Sequence, residues 1–187
     1  RDVTQEKNYQ REIIYLAFND ALTGLPNRRF YMEELEKAIT QAGRFRQTLA
    51  VAIFDLDLFK SINDKYGHHV GDLALIHVAN KLKDIVVARG GIAARLGGDE
   101  FSFFLVDKPA EEAVERIREL LETLKKEPLV LPDATIPVHI SIGVAFYPDH
   151  GKDSDTLISN EDNALYRVKR HTRSSYHICT KEDLNPY

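Results

Sequence analysis

Two strand-like runs, IAARL at 92–96 and EFSFFLV at 100–106, stand on either side of Gly97, Gly98 and Asp99, and no other stretch constrains the fold as much. Three residues leave no room for a crossover, so the runs must pair antiparallel as a hairpin, with the glycines supplying the permissive backbone of the turn. Three further runs have strand character: TLAVAIFDLD at 48–57, TIPVHISIGVAFYP at 135–148 and SYHIC at 175–179. Apolar spacing predicts helices over 5–18, 28–42, 58–66 and 73–87, through Val114, Ile117, Leu121 and Leu124, and over 155–171. The order is helix, helix, βααββαβ and a terminal αβ. Strands separated by helices but containing a tight hairpin favour a mixed sheet over a doubly wound parallel one. The expected class is α+β, a central mixed, largely antiparallel sheet flanked by helices.

The 187 residues, 43% apolar and 29% charged, suit one packed core, and no fixed-period repeat or low-complexity tract divides them. Pro128, Pro132 and Pro137 punctuate a single surface connection. With 25 Lys plus Arg against 29 Asp plus Glu the net charge is −4, which provides no general field for a nucleic-acid polymer. The single cysteine, Cys179, excludes an intrachain disulfide framework and makes a cytoplasmic location the expectation. No run approaches the roughly 20 apolar residues of a membrane span, and RDVTQEKNYQRE is too polar for a signal peptide, so this stretch is expected to make no membrane contact.

The run ending in Asp55 and Asp57 turns abruptly from apolar to acidic. Alternation puts both aspartates on the face of Ile53, so a carboxylate terminates a row that is otherwise core. Asp57 suits the N-cap of the helix that follows. Asp55 suits either a cap-like partner or a cation, and Asp99 and Glu100 at the hairpin tip bring a second pair of hard oxygen donors that suit Mg²⁺ completed by phosphate oxygens. Lys60 offers a cation for such phosphates or a solvated surface charge, as does the basic run Arg167, Lys169, Arg170 and Arg173. Asn63, His68 and Asp72, close to Gly67 and Gly71, present amide, imidazole and carboxylate edges able to read a purine, or else a turn and a helix cap. His69, His77, His139 and His150 lack metal-ligand spacing.

These residues fall in blocks that resemble a known family. RLGGDEF at 95–101 is similar to the signature of GGDEF domains, the diguanylate cyclases. NDALTGLPNRR at 19–29, DLDLFKSINDKYGHHVGD at 55–72, SIGVAFYP at 141–148 and DNALYRVKRHTRS at 162–174 resemble further family blocks in the same order. The resemblance implies the palm-like fold of nucleotidyl cyclases and polymerases, and the joining of two GTP into cyclic di-GMP with release of two pyrophosphates. It implies Mg²⁺, with Mn²⁺ as a substitute, bound by the side chains of Asp55 and Asp99 and by the Leu56 carbonyl. Asn63, His68 and Asp72 would bind the substrate, with Asn63 and Asp72 reading guanine. Lys60 would stabilise phosphate charge, and Lys169 and Arg173 would contact the phosphates. Gly97 and Gly98 would let the hairpin approach the nucleotide, Asp99 would accept the proton of the attacking 3′-hydroxyl, and Glu100 completes the signature. Since one domain holds one GTP, a two-fold homodimer is implied. A catalytically silent module binding GTP or cyclic di-GMP is the alternative; a cyclase of altered base preference is disfavoured by Asp72.

Two departures stand out. The Arg-x-x-Asp product-inhibition motif that precedes the signature in many members has Ala88 and Gly91 at its two charged positions, and a frequent Gly-Arg-Asn reads Thr172, Arg173, Ser174. Feedback inhibition is therefore expected to be weak. RDVTQEK resembles the junction after a PAS-like sensor, so residues 1–18 are expected to be a linker helix from a missing upstream sensor, which could also anchor the full protein to a membrane. Residues 19–187 would be the cyclase domain.

Overall fold

The central strand, β1 (Leu49–Leu56), is the apolar run that ends in aspartate. In the computed structural model, which describes residues 2–184, antiparallel neighbours flank it on both sides, β3 (Glu100–Val106) and β6 (Ile140–Tyr147). β2 (Ile92–Gly97) pairs antiparallel with β3 through the expected hairpin, and β7 (Tyr176–Ile178) pairs parallel with β6. The order β2-β3-β1-β6-β7 is the mixed, largely antiparallel sheet that the hairpin demanded.

Helices cover both faces. α4 (His68–Ile85) and α5 (Ala110–Lys126) close one, over Ala52, Phe54, Phe101, Phe103 and Ile142. Phe54 and Phe101 stack there with ring centroids 5.3 Å apart and planes 7° from parallel, an arrangement that adds about 0.5–1.5 kcal/mol to the burial of the rings. α2 (Arg28–Phe45) and α6 (Ser154–His171) cover the other face, where Tyr31, Leu35 and Leu157 meet Leu49, Val51 and Phe104. Gly143 of β6 is required by that packing. A Cβ there would lie 2.2 Å from the Glu161 carbonyl oxygen and 2.4 Å from the Leu165 nitrogen, so α6 rests directly on the strand.

α1 (Val3–Phe18) buries none of its residues and leaves Tyr9, Ile13, Ile14 and Leu16 more than half exposed. α3 (Phe59–Tyr66) follows β1, and α7 (Lys181–Leu184) closes the described chain. Residue 1 and residues 185–187, the outer ends of the expected linker and domain, lie outside the described residues. Among those described, no helix is long and apolar enough to cross a membrane.

Three local expectations need correction. α2 runs three residues past 42, to Phe45, before Arg46 ends it in the left-handed conformation. α4 begins at His68 rather than 73, because Gly67, at φ 91°, ends α3 and starts α4 in one residue. Gly71 then sits inside the helix, where the Asn63 side chain fills the space a Cβ would need. The run TIPVHISIGVAFYP is not one strand. Pro137, lacking an N–H, breaks it into β5 (Thr135–Ile136), which pairs with β4 (Leu129–Val130) in a separate ribbon, and β6.

Candidate active site

The three central strands end in polar residues at one edge. Register sets Asp55 of β1 opposite Glu100 of β3 on one side and Ser141 of β6 on the other. Directly paired residues share a face, so these three continue the row that holds Val51, Phe104 and Ala145. Asp55 does sit on the face of Ile53, as alternation requires. Its Oδ2 is paired with the Lys169 ammonium from the last turn of α6, and its Oδ1 is buried without a hydrogen bond. Burial raises the Asp55 carboxyl above its ordinary range; Lys169 pulls it back, while Asp99 and Asp57 push it up again.

Asp99 stands at the tip of the β2–β3 hairpin. Gly97 at φ 145° and Gly98 at φ 52° make the turn, with open space where either Cβ would be. The tip is tied from behind by Arg95, a residue the sequence reading passed over. Its Nε donates to the Gly98 carbonyl at 2.9 Å, its Nη1 meets Asp20 at 2.9 Å, and its backbone N–H donates to Pro26. Lys83 of α4 donates to the Thr23 carbonyl at 2.6 Å, fixing the same 19–27 turn. A cation inside the apolar run IAARL, and an acid two residues after the apolar end of α1, were the available signals.

Glu100 is half-buried and 3.7 Å from Arg28. Its carboxyl is raised by burial and by Asp162, with Arg28 opposing. Beneath it lies Glu161, 1% exposed, whose Oε2 makes no hydrogen bond. Burial holds Glu161 well above the usual carboxylate range, and Asp162 and Glu100 add to the shift. Glu161 too was missed, although it occupies the apolar stripe Leu157, Glu161, Ala164, Val168 of α6.

Asp57 does not cap α3. The N-cap position is Leu58, which makes no side-chain bond, and Asp57 turns the other way. Its Oδ1 accepts from Ser141 Oγ at 2.6 Å and its Oδ2 from the Ser174 N–H at 2.9 Å. On α3, Lys60 is exposed in the first turn, and Asn63 presents a buried Oδ1 with no donor, packed against Gly71. His68 and Asp72 are exposed on the first turns of α4, so Asp72 lies within that helix and does not cap it. Arg173 is exposed just past α6. The arrangement thus brings Asp55, Glu100 and Lys169 to one edge with the Asp99 turn beside them, and sets Asn63 against the α4 turn that bears Asp72. No cluster of three or more His, Cys, Asp or Glu side chains among the described residues encloses a metal unaided. A cavity of about 520 Å³ opens behind the hairpin between Asp20, Arg28, Met32 and Arg95.

The model of the family described as diguanylate cyclase, GGDEF domain, matches residues 17–175. The bifunctional diguanylate cyclase/cyclic di-GMP phosphodiesterase MucR of Pseudomonas aeruginosa is 41% identical over 166 residues, 89% of this chain and 24% of MucR. The chain therefore spans about a quarter of that curated relative. The solved GGDEF domain of TpbB from P. aeruginosa superposes with a TM-score of 0.84 at 34% identity, covering 88% of this chain and 96% of that one. The coiled coil and GGDEF domain of DgcB from Caulobacter crescentus, in complex with cyclic di-GMP, gives 0.85 at 26% identity, covering 95% and 93%.

Proposed function

We propose, from the premise that this chain belongs to the GGDEF domain family of diguanylate cyclases, that it joins two GTP molecules into cyclic di-GMP and releases two pyrophosphates. The observation that carries this reading is the buried, unbonded Oδ1 of Asp55 at an acidic strand edge, beside the hairpin that bears Asp99. A buried carboxylate oxygen with no donor is costly, and a hard cation is the partner its chemistry fits. Mg²⁺, or Mn²⁺ in its place, would be held by the side chains of Asp55 and Asp99 and the carbonyl of Leu56. When bound it supplies charge neutralisation at the triphosphate.

The chain's own residues do the positioning. Lys60, Lys169 and Arg173 set cations against the phosphates, and Gly97 and Gly98 let the hairpin backbone come close to the nucleotide with Glu100 alongside. Asp72 accepts from the N1–H and N2–H edge of guanine, Asn63 supplies an acceptor that has no donor among the described residues, and His68 adds a ring edge. Asp99 takes the proton of the 3′-hydroxyl as its oxygen bonds to the α-phosphorus of the facing GTP and the bond to pyrophosphate breaks. Two such attacks, one in each direction, close the ring.

Each domain offers one set of these groups, so the active species is a two-fold homodimer with substrates antiparallel. Tyr9, Ile13 and Leu16, spaced along one side of α1 and left uncovered, suit pairing of two linker helices below an upstream sensor. Residues 1–18 would then be the linker and 19–187 the cyclase domain, working in the cytoplasm, where GTP is supplied.

The test is incubation with GTP and Mg²⁺ across a range of protein concentrations, with the products separated by chromatography. Cyclic di-GMP formed at a rate rising faster than linearly with protein is the expected result. GTP binding without product, even with α1 artificially dimerised, would instead establish a silent nucleotide-binding module.

A further inference from the structure

Asp55 and Asp57 are two residues apart, yet they do opposite things. Asp55 leaves an oxygen free at the site, whereas both oxygens of Asp57 are occupied, Oδ1 by Ser141 of β6 and Oδ2 by the Ser174 N–H in the turn that follows α6. In that turn Arg173 and Ser174 both stand at φ 47°, a left-handed conformation that side chains other than glycine adopt at a cost. Two successive residues so placed need restraints, and the structure supplies them. The Arg173 N–H donates to the Val168 carbonyl at 2.8 Å, and the Ser174 N–H to Asp57 Oδ2 at 2.9 Å and toward Ser141 Oγ at 3.1 Å. The Ile142 N–H then donates to the Ser175 carbonyl at 2.9 Å, tying the turn to β6. Asp57 is itself anchored by its own N–H, which donates to His139 at 2.8 Å.

We propose that Asp57, with Ser141, is a positioning residue that holds the Arg173–Ser174 turn in its left-handed form and so aims the Arg173 guanidinium at the triphosphate of the nucleotide. Asp57 touches neither cation nor substrate. Its carboxylate converts a strained turn into a fixed mount, which lowers the conformational freedom Arg173 loses on binding phosphate. The clamp also explains how Thr172-Arg173-Ser174 does without glycine: the conformation is imposed by tertiary hydrogen bonds. The identity of the phosphates rests on the cyclase reading; the clamp itself does not.

Titration calorimetry with GTP and with guanosine, both in Mg²⁺, tests this on the parent, Asp57→Ala, Asp57→Asn, Arg173→Ala and the Asp57→Ala/Arg173→Ala double variant. Asp57→Ala is expected to weaken GTP about tenfold, the size of one hydrogen bond to a charged group, and to leave guanosine unaffected. The double variant should bind GTP no worse than Arg173→Ala alone, since both changes remove one effect. Asp57→Asn, which keeps an oxygen for the Ser174 N–H, should recover most of the affinity. Hydrogen exchange at the Ser174 amide should quicken in Asp57→Ala, and Ser141→Ala provides the same reading if that variant does not fold. Additive losses, an equal loss for guanosine, or an Arg173→Ala variant with parental GTP affinity would overturn the proposal. Cyclic di-GMP output is measured separately: a parent that binds GTP without making product would sink the cyclase reading and leave the clamp standing.

Discussion

The two faces of strands β3, β1 and β6 share one backbone and have different fates. Toward α4 and α5 the paired positions are apolar along the whole length: Ala50, Ala52, Phe54 and Leu56 with Phe101, Phe103, Leu105, Ile140, Ile142 and Val144. Toward α2 and α6 the row changes by steps. Val51 lies in the core between Phe104 and Ala145, Ile53 lies between Ser102 and Gly143, and Asp55 lies between Glu100 and Ser141. The first face has no polar side chain to offer a ligand. The second gives up burial toward its end, and the candidate site is where its core stops. Stability and chemistry are thereby assigned to opposite sides of the same strands.

The largest effect that could break this division is exchange of the two roles. Asp99→Ala should cut cyclic di-GMP formation by about 10²–10⁴-fold, the range for loss of a general base, while its melting temperature stays close to that of the parent. Phe54→Ala, on the other face and under the Phe101 ring, should cost about 3–5 kcal/mol of stability by opening a cavity. Its activity per folded molecule should survive, as read by denaturant unfolding beside turnover at low temperature. An Asp99→Ala variant that unfolds, or a folded Phe54→Ala variant without activity, would show that the faces are not separable.

A smaller effect sharpens the boundary between core and site. Glu161 is buried on the second face with its Oε2 unbonded, and burial, reinforced by Asp162 and Glu100, raises its carboxyl well above the ordinary value of 4.5. The folded protein therefore keeps a proton that the unfolded chain has lost. Stability from this group is complete at pH values below the unfolded value and is lost as pH rises toward the folded one. Glu161→Gln should melt alongside the parent in acid and, above pH 7, higher by about 2–4 °C, the shift that ~1 kcal/mol produces in a chain of this size. Melting curves that stay parallel across that pH range would remove Glu161 from the account.

Much of this division was legible in the sequence. The hairpin, the acidic end of β1 and the periodicity of α6 are local patterns, and local patterns fix which face a residue takes. What was not legible depended on partners from distant segments. Asp57 reads as a helix cap because a carboxylate before a helix usually is one; only the fold shows Ser141 and Ser174, 84 and 117 residues away, reaching it first. Asp20 and Arg95, 75 residues apart, form the pair that braces the hairpin; each also bonds locally, Asp20 to Thr23 and Arg95 to Gly98, but nothing local links the two. Pro137 reads as punctuation of a loop, yet its lack of a donor also divides a strand.

The smallest expected effect is an absence of response, and it tests whether the apolar face extends as a closed surface to the edge of the sheet. Ala88 and Gly91 stand where many family members carry the charged pair of a product-inhibition motif. The structure shows that position 91 is filled as well as altered: a Cβ there would lie 2.6 Å from Val86 Cγ1 and 2.8 Å from Leu105 Cδ2, both side chains of the apolar core. Nearby, Arg89 spends its guanidinium on both oxygens of Glu119 at 2.6 Å, and Arg116 is buried with a bond to the Ile85 carbonyl. Both of these cations are thus held by partners within the chain. Added cyclic di-GMP should therefore leave the initial rate of GTP turnover unchanged at concentrations well above those the reaction accumulates. Gly91→Asp should fail to install inhibition and should lower stability by about 1–3 kcal/mol through overpacking against Val86 and Leu105. Tight binding of cyclic di-GMP with loss of rate in the parent protein would mean that this face opens a polar site after all, and that the contrast between the two faces stops short of the β2 edge.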